Sequence, residues 1–148
     1  MQFYLRYFMT VAFLIVFSVK NVLALDSGAY TSSPGKRMDL SSVSHWFTYN
    51  FPVTAPPIHG AVITKVYYQY ALGQSDISHG TLVVNLCSTE TARCVDISDS
   101  KSGELMAFQG EDASSHFFIY YKLINHQETG LVTGNGQTQL TVNWVYNK

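Results

Sequence analysis

Both cysteines of the chain lie in one short run, T-L-V-V-N-L-C-S-T-E-T-A-R-C-V-D-I, with six residues between Cys87 and Cys94. Alternation along this run places three apolar residues on one face and both cysteines on the other; the three are Leu82, Val84 and Leu86. Directly opposed side chains of an antiparallel pair have Cβ atoms roughly 4.5–5.5 Å apart, so modest twist closes a disulfide. The run therefore predicts a disulfide-closed β-hairpin whose sulfurs project from its outer face.

The first residues of the chain indicate the compartment in which that bond forms. Arg6 precedes an apolar run from Phe8 to Val19, and Val22-Leu23-Ala24 offers short side chains to a signal peptidase. The run is well short of the roughly twenty residues that span a bilayer. Residues 1–24 are therefore predicted to be a signal peptide, cleaved between Ala24 and Leu25. Export to an oxidising space favours a disulfide, and closing so short a loop contributes about 2.5 kcal/mol.

The charge of the predicted mature chain argues against nucleic acid as a partner. Without Arg6 and Lys20, seven basic residues face ten acidic ones, a formal charge of −3, and the basic residues are scattered singly. About 124 residues predict one domain. The segment 25–44 is polar and serine-rich, which predicts an N-terminal arm or an edge strand. Residues 45–148 form the predicted domain, with no membrane span after signal removal.

Short alternating segments separated by turn residues make up this domain, and no stretch keeps a helical period. The candidate strands are 45–51, 61–72, 81–87, 94–97, 104–108, 116–123 and 140–146. About seven or eight short strands without intervening helices predict an all-β fold, a single antiparallel β-sandwich. A closed barrel is the competing architecture, because both alternate inward and outward residues. In the longest candidate, alternation places Val62, Thr64 and Val66 on the apolar face.

Aromatic residues, at 14% of the chain, are the one compositional excess. Four of them lie on apolar alternating faces and are predicted to fill the core: Phe47, Tyr68, Phe117 and Trp144. Four others fall on the opposite faces: Trp46, Tyr67, Phe118 and Tyr120. If those four gather on one sheet, they form a ring platform for a protein partner or a sugar. Cover by loops or by the N-terminal arm is the alternative explanation.

No pattern in the sequence indicates catalysis, a cofactor or a metal. The five histidines, at 45, 59, 79, 116 and 126, show no spacing that places two on one local face. A G-x-S-x-G elbow and a carboxylate pair in an apolar context are both absent. Gly134-Asn135-Gly136 lies between strands, so it predicts a turn and not a phosphate cradle. We therefore expect a protein that is not an enzyme.

Several short motifs follow one another in a specific order and spacing: Leu86-Cys87-Ser88, Arg93-Cys94-Val95-Asp96, Ser102-Gly103, Ala107-Phe108-Gln109-Gly110, the aromatic strand at Phe117 and Val142-Asn143. Their order and spacing give a resemblance to the flagellar FlhE family over most of the predicted mature chain. It implies a small periplasmic β-sandwich, without enzymatic activity, that regulates flagellar export and assembly. The implied role is that of a chaperone or plug that limits proton leakage, with a protein partner in the flagellar export or basal-body apparatus.

Two other classes compete with this interpretation. A fimbrial subunit or pilus chaperone is also an exported β-sandwich, and the alternating run from Leu140 to Tyr146 resembles a terminal pilin strand that pairs with another chain. The close cysteine spacing argues against it, because pilin disulfides usually join strands distant in sequence. A carbohydrate-binding module that uses the outward rings is the third class.

Overall fold

A computed structural model describes residues 26–41, 44–53, 60–124 and 132–146. The predicted signal peptide, with Ala24 and Leu25, lies outside these residues. Ten strands are described: β1 Ser27–Ser32, β2 Asp39–Leu40, β3 Phe47–Asn50, β4 Ala61–Gln69, β5 Thr81–Ser88, β6 Cys94–Asp96, β7 Ser102–Leu105, β8 Phe117–Ile124, β9 Val132–Thr133 and β10 Gln139–Tyr146. None of the described segments forms a helix long and apolar enough to cross a membrane.

The strands form two four-stranded antiparallel sheets and one small ribbon. The front sheet has the order β3-β8-β5-β6, and the back sheet has the order β1-β10-β4-β7. β2 and β9 pair separately through Asp39 with Thr133 and Leu40 with Val132. The predicted antiparallel β-sandwich is confirmed, and no strand of the described chain is shared between the two large sheets.

Alternating side chains from both large sheets fill one core. On β8 the inward residues are nearly inaccessible: Phe117, Ile119, Tyr121 and Leu123. On β5 the predicted inward set, Leu82, Val84 and Leu86, is at most 1% exposed. Three further predicted core rings also pack inward: Tyr68 is buried, and Phe47 and Trp144 are partly buried against the core. The period of two therefore predicts the buried faces of these strands correctly.

The apolar face predicted for β4 is wrong in its first half. Ala61 and Ile63 are buried, not Val62 and Thr64, whereas Val66 and Tyr68 are buried as expected. The pairing of β4 with β10 shifts register between Asn143 and Trp144, which places one extra residue on β4. Such a bulge reverses the inward and outward parity on either side of it.

The segment 25–44 contributes an edge strand to the back sheet. β1 pairs along its whole length with β10, from Ser27 opposite Val145 to Ser32 opposite Leu140. Gly28 lies opposite Trp144, and a Cβ atom at Gly28 would lie 2.5 Å from the indole ring. Glycine is therefore required at this position by the close approach of the ring.

The cysteine hairpin forms as predicted, with a disulfide between Cys87 and Cys94. The two residues are directly opposed, with Cα atoms 4.1 Å apart, and the next pair is joined by a hydrogen bond from Ser88 N to Arg93 O. Cys94 is exposed, but Cys87 is fully buried although its parity is outward. Cys87 is flanked in register by Cys94 on one side and Phe118 on the other, so it lies inside the sheet and away from both edges.

A partly exposed ion pair connects the turn after β4 to the link between β6 and β7. Asp76 Oδ2 accepts hydrogen bonds from Lys101 Nζ at 2.7 Å and from the backbone N–H of Gly73 at 2.8 Å. The bond from Lys101, followed by that from Gly73, lowers the pKa of the Asp76 carboxyl. The ionised form of Asp76 therefore stabilises this end of the sandwich.

We predict that the double variant Cys87→Ser, Cys94→Ser has a free energy of unfolding lower by about 2.5 kcal/mol, because the loop is no longer closed in the unfolded chain. Urea unfolding followed by intrinsic fluorescence measures the change. The wild-type protein after reduction is the control and should lose a similar amount. Thiol labelling of the unreduced protein followed by intact-mass analysis should find no reactive thiol; two labelled cysteines would contradict the bond.

We predict that Asp76→Asn destabilises the protein by about 1 kcal/mol at pH 7 and by much less at about pH 2. A lowered folded-state pKa contributes stability above the unfolded pKa of the carboxyl, and this contribution is lost as the pH falls through the folded value. Chemical unfolding of both proteins at the two pH values measures the difference. Asp99→Asn, at an exposed position, is the matched control. A loss that is equal at both pH values would contradict the assignment.

Candidate functional site

The structure brings three of the four predicted outward rings together. Trp46, Phe118 and Tyr120 lie on the outer face of the front sheet, whereas Tyr67 lies on β4 in the back sheet. The four residues therefore do not form one platform. Trp46 and Tyr67 are the two exposed rings among the described residues, at 38% and 41%, while Phe118 and Tyr120 are partly buried.

The three front-sheet rings form a continuous layer, to which Lys122 adds a cation. We call these four residues the aromatic face. Trp46 stacks on Tyr120 with ring centroids 4.3 Å apart and planes 8° from parallel. Phe118 meets Tyr120 edge to face at 6.4 Å, and Lys122 Nζ lies 4.5 Å from the Trp46 ring centroid. Each such ring pair contributes roughly 0.5–1.5 kcal/mol of stability in addition to the free energy of burying its surface. These contacts therefore fix the positions of the rings relative to one another.

Strand pairing positions the aromatic face. Tyr120 lies opposite Thr48 and Phe118 lies opposite Asn50, because β3 pairs antiparallel with β8. The residues between them on β8 are buried in the core, so Phe118, Tyr120 and Lys122 must point outward. Lys122 is absent from the predicted set of outward aromatic residues, although its spacing of two from Tyr120 places it on the same face.

The surroundings of Tyr67 are chemically different. Lys65 Nζ lies 5.5 Å from the Tyr67 ring centroid and forms an ion pair of 2.9 Å with Glu104 on β7. The hydrogen bond that Lys65 donates to Glu104 is the main cause that raises the pKa of Lys65. Tyr67 lies opposite Thr141 on one side and Glu104 on the other. Its neighbours are therefore polar, without the second ring that Trp46 has.

Histidines and acidic residues form no group that suits a metal ion in the part of the chain that the structure describes. His59 and His126 lie outside that part. His116 is held by Glu90, whose carboxylate accepts the backbone N–H of His116 and contacts Nδ1 of its ring, both at 2.8 Å. This histidine therefore serves a structural contact between the hairpin loop and the segment before β8.

Comparison with known proteins gives the family. A family model described as "Flagellar protein FlhE" matches residues 44–145. The chain belongs to the FlhE family. A solved structure described as "Crystal Structure of FLHE" is similar in fold, with a TM-score of 0.61 and 20% sequence identity over 82% of this chain and 98% of that one. No curated protein sequence matches the chain.

Two of the segments on which the sequence resemblance rests, the cysteine hairpin and the segment 107–110, meet in one structural element. We call it the clasp: the contacts between the hairpin loop 88–93 and the segment 107–116. Arg93 Nη1 donates a hydrogen bond to the backbone oxygen of Ala107 and lies 3.8 Å from Glu111 Oε1. Thr91 Oγ1 donates to the same Glu111 oxygen at 3.1 Å. The disulfide and the motif A-F-x-G therefore belong to one assembly that closes an end of the sandwich.

Phe108 and Gly110 anchor the clasp to the core. Phe108 is fully buried and meets Phe117 edge to face at 5.1 Å. Gly110 has a φ of +85°, in the region that favours glycine, and its N–H donates to Ile63 O at 2.9 Å. The A-F-x-G segment therefore has a packing role in this chain through Phe108, whereas Gln109 and Gly110 lie at the surface.

Tyr30 lies on the inward face of β1 and is buried, which shifts the pKa of its hydroxyl. Burial, followed by the nearby charges of Glu90 and Asp112, raises the pKa of Tyr30 to about 12. The hydroxyl therefore stays neutral at physiological pH. Tyr30 is therefore a neutral residue of the hydrophobic core.

Proposed function

We propose that this protein is a periplasmic accessory protein of the flagellum, with a chaperone- or plug-like role that regulates flagellar export and assembly and limits proton leakage. The observation that carries the proposal is the match of the FlhE family model over residues 44–145. Residues 1–24, with cleavage between Ala24 and Leu25, direct the chain to the periplasm. The disulfide in the hairpin is consistent with that oxidising compartment.

The protein acts by binding and not by catalysis. The aromatic face is a layer of three packed rings with one cation, and such a surface suits contact with another protein. The ring layer is pre-organised, because Trp46 is already stacked on Tyr120 before a partner arrives. A pre-organised surface loses less conformational entropy when it binds.

The aromatic face binds a protein partner in the flagellar export or basal-body apparatus. Trp46 supplies the exposed ring, Tyr120 and Phe118 support it, and Lys122 over the indole favours an acidic or carbonyl-rich partner surface. Aromatic residues of this kind dominate binding energy at protein interfaces. Tyr67 does not belong to this surface, since it lies on the other sheet.

Deletion of the gene should alter flagellar performance, because the proposal places the protein at the export apparatus. We expect altered swimming or swarming, or acidification of the cytoplasm when export channels are present, and restoration by the wild-type gene. Motility assays and a cytoplasmic pH reporter measure these effects, with a strain that lacks export channels as the control. Normal motility, flagellin export and internal pH together with defective fimbriation would favour the fimbrial class instead.

Trp46→Ala and Tyr120→Ala should each weaken capture of the flagellar partner by about tenfold or more, because central aromatic residues contribute about 2 kcal/mol or more at interfaces. The measurement is affinity capture from periplasm of flagellated cells, compared with cells that lack flagella. Tyr67→Ala is the matched control, since it removes an equally exposed ring from the opposite sheet. Far-UV circular dichroism checks folding. Normal capture by the two front-sheet variants would place the contact elsewhere.

A further inference from the structure

The outer face of the back sheet carries a depression that the flagellar role does not use. It has a volume of about 410 Å³ and crosses the neighbouring strands β10, β4 and β7. Its outward side chains form two rows in register: Gln139, Gln69 and Ser102 in one row, and Thr141, Tyr67 and Glu104 in the other. We call these six residues the polar depression. Its volume lies within the roughly 300–1,000 Å³ that is common for small-molecule sites.

The chemistry of the six side chains defines the class of ligand. Gln69 and Gln139 each offer a carboxamide that donates and accepts hydrogen bonds, and Ser102 and Thr141 offer hydroxyls. Glu104 adds a carboxylate whose charge is offset by Lys65 at 2.9 Å. The site therefore presents many paired donors and acceptors and no uncompensated charge. A phosphate or another strong anion would find no cation directed at it from within these six residues.

Tyr67 supplies the apolar part of the site. Lys65 precedes Tyr67 by two residues on β4 and lies opposite Asn143, with its ammonium group near the Tyr67 ring. Gln69 follows Tyr67 by two residues and lies opposite Gln139. The lining of the depression includes Tyr67 and Gln69 and not Lys65, so the Tyr67 ring, and not the ammonium group, borders the depression. The face of an aromatic ring is electron-rich and can contact weakly positive C–H groups.

We propose that the polar depression binds a neutral glycan built from hexopyranose rings. A pyranose has an apolar C–H face that stacks on an exposed tyrosine and hydroxyls that pair with carboxamides. The three strands span roughly 10 Å across the sheet, a width that accommodates two linked pyranose rings. A bound peptide fits less well, because its apolar side chains would meet a carboxamide, a hydroxyl or a carboxylate at five of the six positions.

The test is titration of the ¹⁵N-labelled mature protein with two neutral oligosaccharides, chitotriose and maltotriose. Chitotriose has the N-acetylated sugar of cell-wall glycan strands, and maltotriose is an unacetylated glucan. The two titrations therefore distinguish a cell-wall glycan from a glucan as the ligand. We expect saturable shifts of backbone amides in β4, β7 and β10 with at least one of them. Tyr67→Ala should weaken binding by about tenfold or more, whereas Tyr67→Phe should retain most of it.

Trp46→Ala is the matched control and should leave glycan binding unchanged, since it removes an equally exposed ring from the front sheet. Ser102→Tyr, which fills the depression from the edge strand β7, gives a second variant that should also abolish binding. Saturable shifts from neither oligosaccharide, or binding that Tyr67→Ala and Ser102→Tyr leave intact, would overturn the proposal. Because flagellar capture depends on Trp46 and glycan binding on Tyr67, failure of one proposal is distinguishable from failure of the other.

Discussion

Burial of the inward side chains of β8 holds the two sheets together and also fixes what the protein presents to its surroundings. Phe117, Ile119 and Tyr121 enter the core, so Phe118, Tyr120 and Lys122 have no alternative but to face outward. A shift of one residue in the pairing of β8 would exchange the two sets. Stability and surface chemistry are therefore coupled in this one strand, and the edge-to-face contact of Phe117 with Phe108 ties the clasp to the same element.

The sequence predicts the buried face of a strand correctly where apolar and polar residues alternate without interruption. β5 and β8 alternate without interruption, and their buried faces follow from the sequence alone. β4 does not, because its bulge arises from the register with β10, which local alternation does not encode. The run Glu104 to Phe108 reads as a strand, yet β7 ends at Leu105 and Phe108 enters a turn that Gly110 completes with positive φ. An apolar residue in a turn that folds back into the core resembles a strand residue in sequence.

The two candidate surfaces are also predicted only in part by the local sequence pattern. Alternation correctly marks Trp46, Tyr67, Phe118 and Tyr120 as outward, but it does not indicate to which sheet each strand belongs. That assignment depends on pairing over long sequence distances, since β3 joins β8 and β4 joins β10. The outer faces consequently differ in chemistry: rings and a cation lie on the front sheet, and amides, hydroxyls and one ring lie on the back sheet. Position in the topology, more than residue type, separates the two surfaces.

The place of β10 between β1 and β4 has a consequence for the order in which the molecule is assembled. β1 is the first described strand along the chain and β10 the last, yet β10 is the element that joins β1 to the rest of the back sheet. During synthesis from the amino end, β1 therefore has no neighbour in this sheet until β10, the last of the described strands, has been made. Pairings between such distant segments form slowly, because a long loop must close first. The back sheet is complete only when β10 has been made, so a chain truncated before β10 would lack one of the two inner strands of this sheet and could not hold β1 in it.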